Sequence, residues 1–223
     1  MVGNAAQNYE VLFQGLVLDA GAVTQPVAAR PLIEIVGDSI SIGVGDGYGW
    51  LAGEMLGCDH VQIAFSARAL TSGYGCADDK TGQDTQYFRL KNFNHLGDTP
   101  QAAWDFSYTP RIIVINLGQN DQCGSEPSAT MAASYASFVG KLRAKFPQAQ
   151  IVALRPFGGP YEDAIRTAVG MLNTAGDSHV SFVDTTGWLT KPEDFRDGIH
   201  PNAPGNLKAA WHLANALSPL LRR

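Results

Sequence analysis

Five short apolar runs, at residues 32–36, 60–65, 111–117, 150–154 and 179–183, end in glycine or polar residues. Their length and β-branched content predict strands buried on both faces. Between them the apolar spacing changes to that of a helix. Met131, Tyr135, Phe138, Val139, Leu142 and Phe146 share one face, and Pro147 ends that element. Ile165, Ala168 and Leu172 repeat the pattern, with Gly176 as the stop. A last helix is expected from about Ala203, with Pro204 in its first turn. It should bury Leu207, Ala210, Trp211, Ala214 and Leu217. Strands alternating with helices imply an α/β fold, a parallel sheet covered on both faces with right-handed crossovers. In such sheets the functional crevice lies beyond the carboxyl ends of the strands. Ser39, Ser66, Asn120 and Phe157 fall there, and His200 lies on the loop before the last helix. The irregular stretch 71–109 is too long for an ordinary connection and should cover that edge or shape its cleft.

Composition narrows the function classes. The 223 residues are 45% hydrophobic and 17% charged, enough for one well-buried domain, and no internal repeat divides them. No apolar run is long enough to span a bilayer, so no membrane partner is expected. Net charge is −5 and the basic residues are scattered, which argues against a nucleic-acid partner. Cys58, Cys76 and Cys123 form no Cys-x-x-Cys pair, so no metal site is expected. Cys76 follows the second strand and Cys123 the third, on one face of the sheet. A disulfide between them and three free thiols both fit.

The N-terminus supports no argument. Met1 to Gln7 lacks the basic and apolar pattern of a secretion signal. Residues 10–15 match the core of a picornaviral protease site common in recombinant proteins, yet Val11, Leu12 and Phe13 would also suit a native strand.

Three phrases carry the chemistry: Gly37-Asp38-Ser39, Gly118-Gln119-Asn120-Asp121 and Asp197-Gly198-Ile199-His200-Pro201. Ser39 offers a hydroxyl nucleophile, His200 a base, and Asp197 a carboxylate to orient the imidazole. Pro201 restricts the backbone of His200 and helps pin its loop. Asn120 can donate into an oxyanion hole, where one such donor is worth about 3 kcal/mol. Each residue also has an ordinary use: Ser39 as a helix N-cap, Asn120 as a turn residue, His200 as a surface partner of Asp197. Their ordered recurrence at strand ends favours the acyl-transfer centre. Trp104, Tyr87, Phe88, Phe157 and Trp188 lie in or near post-strand loops and are candidates to stack on a substrate, or core aromatics. The cluster Gly43-Val44-Gly45-Asp46-Gly47-Tyr48-Gly49 hints at a nucleotide site, but Tyr48 occupies the last glycine position of Gly-x-Gly-x-x-Gly.

The three phrases resemble blocks one, three and five of the SGNH (GDSL-like) hydrolases. Residues 33–40, Trp104-Asp105-Phe106-Ser107 and Asp197 to Asn202 are similar to carbohydrate esterase family 2. The resemblance covers residues 31–223 as the hydrolase domain. It implies a flavodoxin-like, three-layer α/β/α sandwich with about five parallel strands. It implies a Ser-His-Asp esterase, extracellular and without cofactor, that removes acetyl groups from polysaccharides such as xylan or glucomannan. Action on another ester, or a catalytically silent carbohydrate-binding role, is the alternative. Residues 1–30 are then an added leader or the remnant of a preceding β-domain, its last strand around Tyr9 to Asp19. The oxyanion hole would comprise the Ser39 and Ala67 amides and the Asn120 side chain. Ala67 stands where relatives usually carry glycine, and in a left-handed conformation it would cost about 1–2 kcal/mol.

Overall fold

The computed structural model describes residues 15–90 and 102–222. Strands β1 (Leu32–Gly37), β2 (Asp59–Ala64), β3 (Ile112–Asn116), β4 (Gln150–Leu154) and β5 (Val180–Val183) pair in parallel. Their order across the sheet is β2-β1-β3-β4-β5. Side chains alternate strictly between two cores. Ile33, Ile35, Ile112, Val114, Val152 and Leu154 face helices α1 (Tyr48–Leu56) and α6 (Ala203–Leu221). Val36, Ile113, Ile115, Ile151 and Ala153 face α4 (Ser128–Lys145) and α5 (Glu162–Thr174). The chain is therefore a three-layer α/β/α sandwich of the flavodoxin-like strand order. No helix among the described residues is long and apolar enough to cross a membrane.

Strand order dictates where a site can form. The chain steps from β1 outward to β2, then returns over β1 to start β3 and proceeds the other way. That reversal opens a crevice between the carboxyl ends of β1 and β3. Among its described residues the return path holds one helix, the four-residue α2 (Gln83–Gln86). This part of the path is fastened to β1 and β2 by buried polar groups. Gln83 Nε2 donates to the carbonyls of Gly37 (3.2 Å) and Ile63 (3.1 Å). The hydroxyls of Tyr87 and Tyr108 both donate to Glu34, a fully buried carboxyl in the middle of β1. The described part of the stretch 71–109 thus covers a face of the sheet rather than only its edge.

Two helices depart from expectation. In α6 the buried face is Ala209, Ala210, Leu213, Ala214 and Leu217, while Leu207 is 52% and Trp211 59% exposed. The small residues mark the buried side because α6 lies close against α1; large apolar residues misplace it. Helix α1 was hidden by its glycines, poor helix formers required here by close packing. A Cβ on Gly49 would lie 2.8 Å from Ile35 Cγ1. Gly43 and Gly47 meet backbone to backbone, a Cβ on the first falling 2.5 Å from the second's Cα. The cluster that hinted at a nucleotide site is consumed by packing. Residues 15–31 are exposed and form no strand; residues 9–14 lie outside the described residues.

Candidate active site

Ser39 occupies the tight turn after β1. The turn closes by a bond from the Ser41 N–H to the Asp38 carbonyl (3.0 Å). A Cβ at Gly37 would fall 2.2 Å from Ser41 Oγ, so only glycine lets the chain turn here. No helix starts at Ser39, because α1 begins at Tyr48 with Gly47 as its cap, which removes the N-cap explanation of this serine. Its Oγ lies 2.9 Å from His200 Nε2.

The loop before α6 delivers the imidazole. Arg196 N–H donates to the His200 carbonyl (3.0 Å), and Phe195 bridges Pro201. The Asn202 side chain caps α6 by accepting from the Gly205 N–H (2.9 Å). Asp197 Oδ2 stands 2.9 Å from His200 Nδ1. The backbone N–H groups of His200 and Ile199 donate to the same carboxylate at 2.8 and 3.0 Å. They hold its pKa well below the usual carboxylate range. An ionised Asp197 fixes the tautomer with hydrogen on Nδ1, leaving Nε2 to accept from the serine.

Across the crevice, Asn120 sits in the short helix α3 (Gln119–Cys123) that follows β3. Its Nδ2 donates to Asp38 Oδ2 at 2.9 Å, and Asp38 Oδ1 accepts from the Ile40 N–H at 2.9 Å. One amide hydrogen of Asn120 is thereby committed; the other has no acceptor among the described residues and can meet a ligand oxygen. Burial pushes Asp38 up to about 7, against the two donors that pull it down. This role for Asp38 was not read from the sequence, where Gly-Asp-Ser looks like turn chemistry. Asp121 is equally buried and accepts from the Leu70 (2.9 Å) and Thr71 (3.0 Å) N–H groups, locking the loop after β2 to α3. A Cys76–Cys123 disulfide ties the same two segments. Cys58 is a buried free thiol.

Ala67 lies on that loop, third in a turn closed by the Arg68 N–H on the Phe65 carbonyl (3.4 Å), with φ of 57°. Alanine here carries the strain that glycine avoids. Neither the Ser39 nor the Ala67 N–H donates to an acceptor among the described residues.

The aromatic candidates divide. Tyr87 is buried against Phe138 and holds Glu34, so it faces the core and not the crevice. Phe88 packs beside it. Trp104 lies against Tyr108, whose ring stacks on Phe146 at the far end of α4. Because α4 runs antiparallel to the strands, that is the edge opposite Ser39. Phe157 and Trp188 do lie at the carboxyl edge, but Phe157 is wedged against Tyr48 and Trp188 stacks on His212. Aromatic type alone cannot separate packing from recognition.

A hydroxyl, imidazole and carboxylate in file at the reversal of a five-stranded parallel sheet have the layout of an SGNH-type hydrolase. The GDSL-like lipase/acylhydrolase family model matches residues 35–208, and the chain belongs to that family. It is 29% identical over 204 residues to the cellulase/esterase CelE of Acetivibrio thermocellus, covering 78% of this chain and 24% of that one. The chain thus spans about a quarter of that relative's length. A family two carbohydrate esterase from Clostridium thermocellum, solved with cellohexaose, superposes with TM-score 0.74 at 23% identity, over 90% of this chain and 67% of that one. An acetyl xylan esterase from Butyrivibrio proteoclasticus gives 0.71 at 21%, over 90% and 66%.

Three outcomes are expected. Ala67→Gly should raise Tm by about 2–4 °C, about 1 kcal/mol of relieved strain, in a calorimetric scan; no rise would contradict the left-handed turn. Asp38→Asn cannot accept from both Ile40 and Asn120, so kcat on 4-nitrophenyl acetate should fall about 10–100-fold with little change in KM. The same variant tests the buried charge. Asp38 returns to about 3.8 on unfolding and sits at about 7 when folded, so the native state holds the extra proton between those values. The contribution of Asp38 to stability should be full below about pH 4 and be lost, by on the order of 4 kcal/mol, as pH rises to about 7. In urea titrations Asp38→Asn should show a shallower decline over that range than wild type, the remainder coming from other buried carboxyls such as Glu126.

Proposed function

We propose that this chain is an extracellular carbohydrate esterase that removes acetyl groups from the hydroxyls of plant cell-wall polysaccharides. The 2.9 Å contact of Ser39 Oγ with His200 Nε2, in line with Asp197, carries the reading. Family membership supports ester hydrolysis, and the acetyl xylan esterase among the structural neighbours supports an acetylated polysaccharide such as xylan, with glucomannan a further candidate from the family resemblance.

Ser39 attacks the acetyl carbonyl while its proton passes to His200 Nε2. The oxyanion so formed is met by the Ser39 and Ala67 N–H groups and the free amide hydrogen of Asn120. Asp197 stabilises the imidazolium. Collapse returns the proton to the departing sugar oxygen, leaving Ser39 acetylated. Water, deprotonated by His200, then attacks the acyl carbonyl and releases acetate with Ser39 restored. Left-handed Ala67 retains its N–H, so the alanine at this position is compatible with turnover and weakens the silent-binding alternative.

Ser39→Ala should abolish 4-nitrophenyl acetate hydrolysis and acetate release from acetylated xylan, with an unchanged circular dichroism spectrum. Retained turnover would remove Ser39 from the chemistry.

A further inference from the structure

Further along the same edge, the segments after β4 and β5 enclose a cleft of about 230 Å³. Arg155, Phe157, Thr186, Leu189, Lys191 and Phe195 line it. It adjoins the catalytic loop, since Phe195 bridges Pro201, the neighbour of His200. Strands lie about 4.8 Å apart, so β4 and β5 stand about 10 and 15 Å from β1 and its serine. A saccharide chain with one residue at Ser39 can therefore place another here.

The lining is amphipathic and carries one unbalanced charge. Arg155 Nε meets Glu162 at 2.5 Å, and Arg166 meets Glu162 at 3.0 Å and Asp184 at 2.9 Å. Two guanidinium groups and two carboxylates cancel. Lys191 has no carboxylate partner among the described residues; its Nζ stands 5.3 Å over the Phe195 ring. Leu189 and Phe195, both only partly buried, offer apolar surface of the kind that takes the C–H face of a sugar, with the packed Phe157 ring as the floor behind them. One free ammonium beside apolar walls suits a ring bearing a single negative charge. A dianion such as phosphate would meet Glu162 and Asp184 across a network already neutral.

We propose that this cleft is a subsite for a uronate residue, a sugar carrying one carboxylate, in the polysaccharide whose acetyl group is cut at Ser39. The carboxylate pairs with Lys191 and the ring lies on the apolar wall. The proposal rests on the esterase reading, so its test has two independent arms.

In the first arm, acetate release is measured on acetylated xylan carrying uronate branches and on the same polymer after carbodiimide-borohydride reduction of its carboxyls. Wild type should favour the carboxylated polymer about tenfold in kcat/KM, and Lys191→Glu should erase that preference while leaving 4-nitrophenyl acetate turnover unchanged. Equal rates of wild type on the two polymers, or a preference surviving in Lys191→Glu, would overturn the subsite. In the second arm, sodium glucuronate, glucose and sodium sulfate are titrated into the Ser39→Ala protein by amide NMR. Glucuronate alone should shift Thr186, Leu189 and Lys191, and not in Lys191→Glu. Equal shifts with sulfate would reduce the site to a bare anion contact, and no shift with glucuronate would overturn it. Because this arm needs no turnover, it stands if the esterase reading fails.

Discussion

The rest of the site depends on one hydrogen bond across the crevice: Asn120 Nδ2 to Asp38 Oδ2, 2.9 Å, from the helix after β3 to the turn after β1. It joins the segments beyond two strand ends that pair in the sheet but lie far apart along the chain. Ser39 and Asn120, the oxyanion donor proposed above, arrive on separate segments, and this bond sets their relative position. Burying a carboxylate to make it is unfavourable, which is why Asp38 is pushed to about 7. Asp121 repeats the device one residue on, holding the Ala67 loop to α3. The disulfide Cys76–Cys123 closes the same junction covalently. Oxyanion holes work by having donors aimed before the charge develops. In the proposed mechanism that aim is set from beneath the site by Asp38 and Asp121.

Much of this was legible in the sequence. The strands announce themselves because a parallel sheet buried on both faces requires continuous apolar runs. Ser39, Asn120 and His200 were visible because polar residues at strand ends collect where the topology reverses. Helix α1 was not, because the glycines that let it approach β1 erase its helical signature. The buried face of α6 was misjudged at Leu207 and Trp211 because close helix packing selects alanine over bulk. Tyr87 and Trp104 were candidates for a sugar platform, yet they belong to the packing of the return path over β1. That path has no period to read. Its position follows from contacts between distant residues, such as Tyr108 with Glu34.

Asp38 shows a further limit. Its residue type and place suit a turn, and its side chain does accept from Ile40 as a turn residue would. Only the partner across the crevice gives the second oxygen its purpose. Sequence separation hides such pairs: Asp38 and Asn120 are 82 residues apart. The carboxyl edge of the sheet then reads as one continuous surface. The proposed chemistry sits at the β1/β3 reversal, and an amphipathic cleft follows at β4 and β5. The loop carrying His200 borders both.

The account rests on His200 making the Ser39 hydroxyl a nucleophile. Incubation with an aryl organophosphonate, followed by peptide mass spectrometry, tests this most directly. One adduct per chain, on Ser39, is predicted, with labelling lost in a folded His200→Ala protein. Modification at another residue, or labelling of Ser39 undiminished without His200, would contradict it.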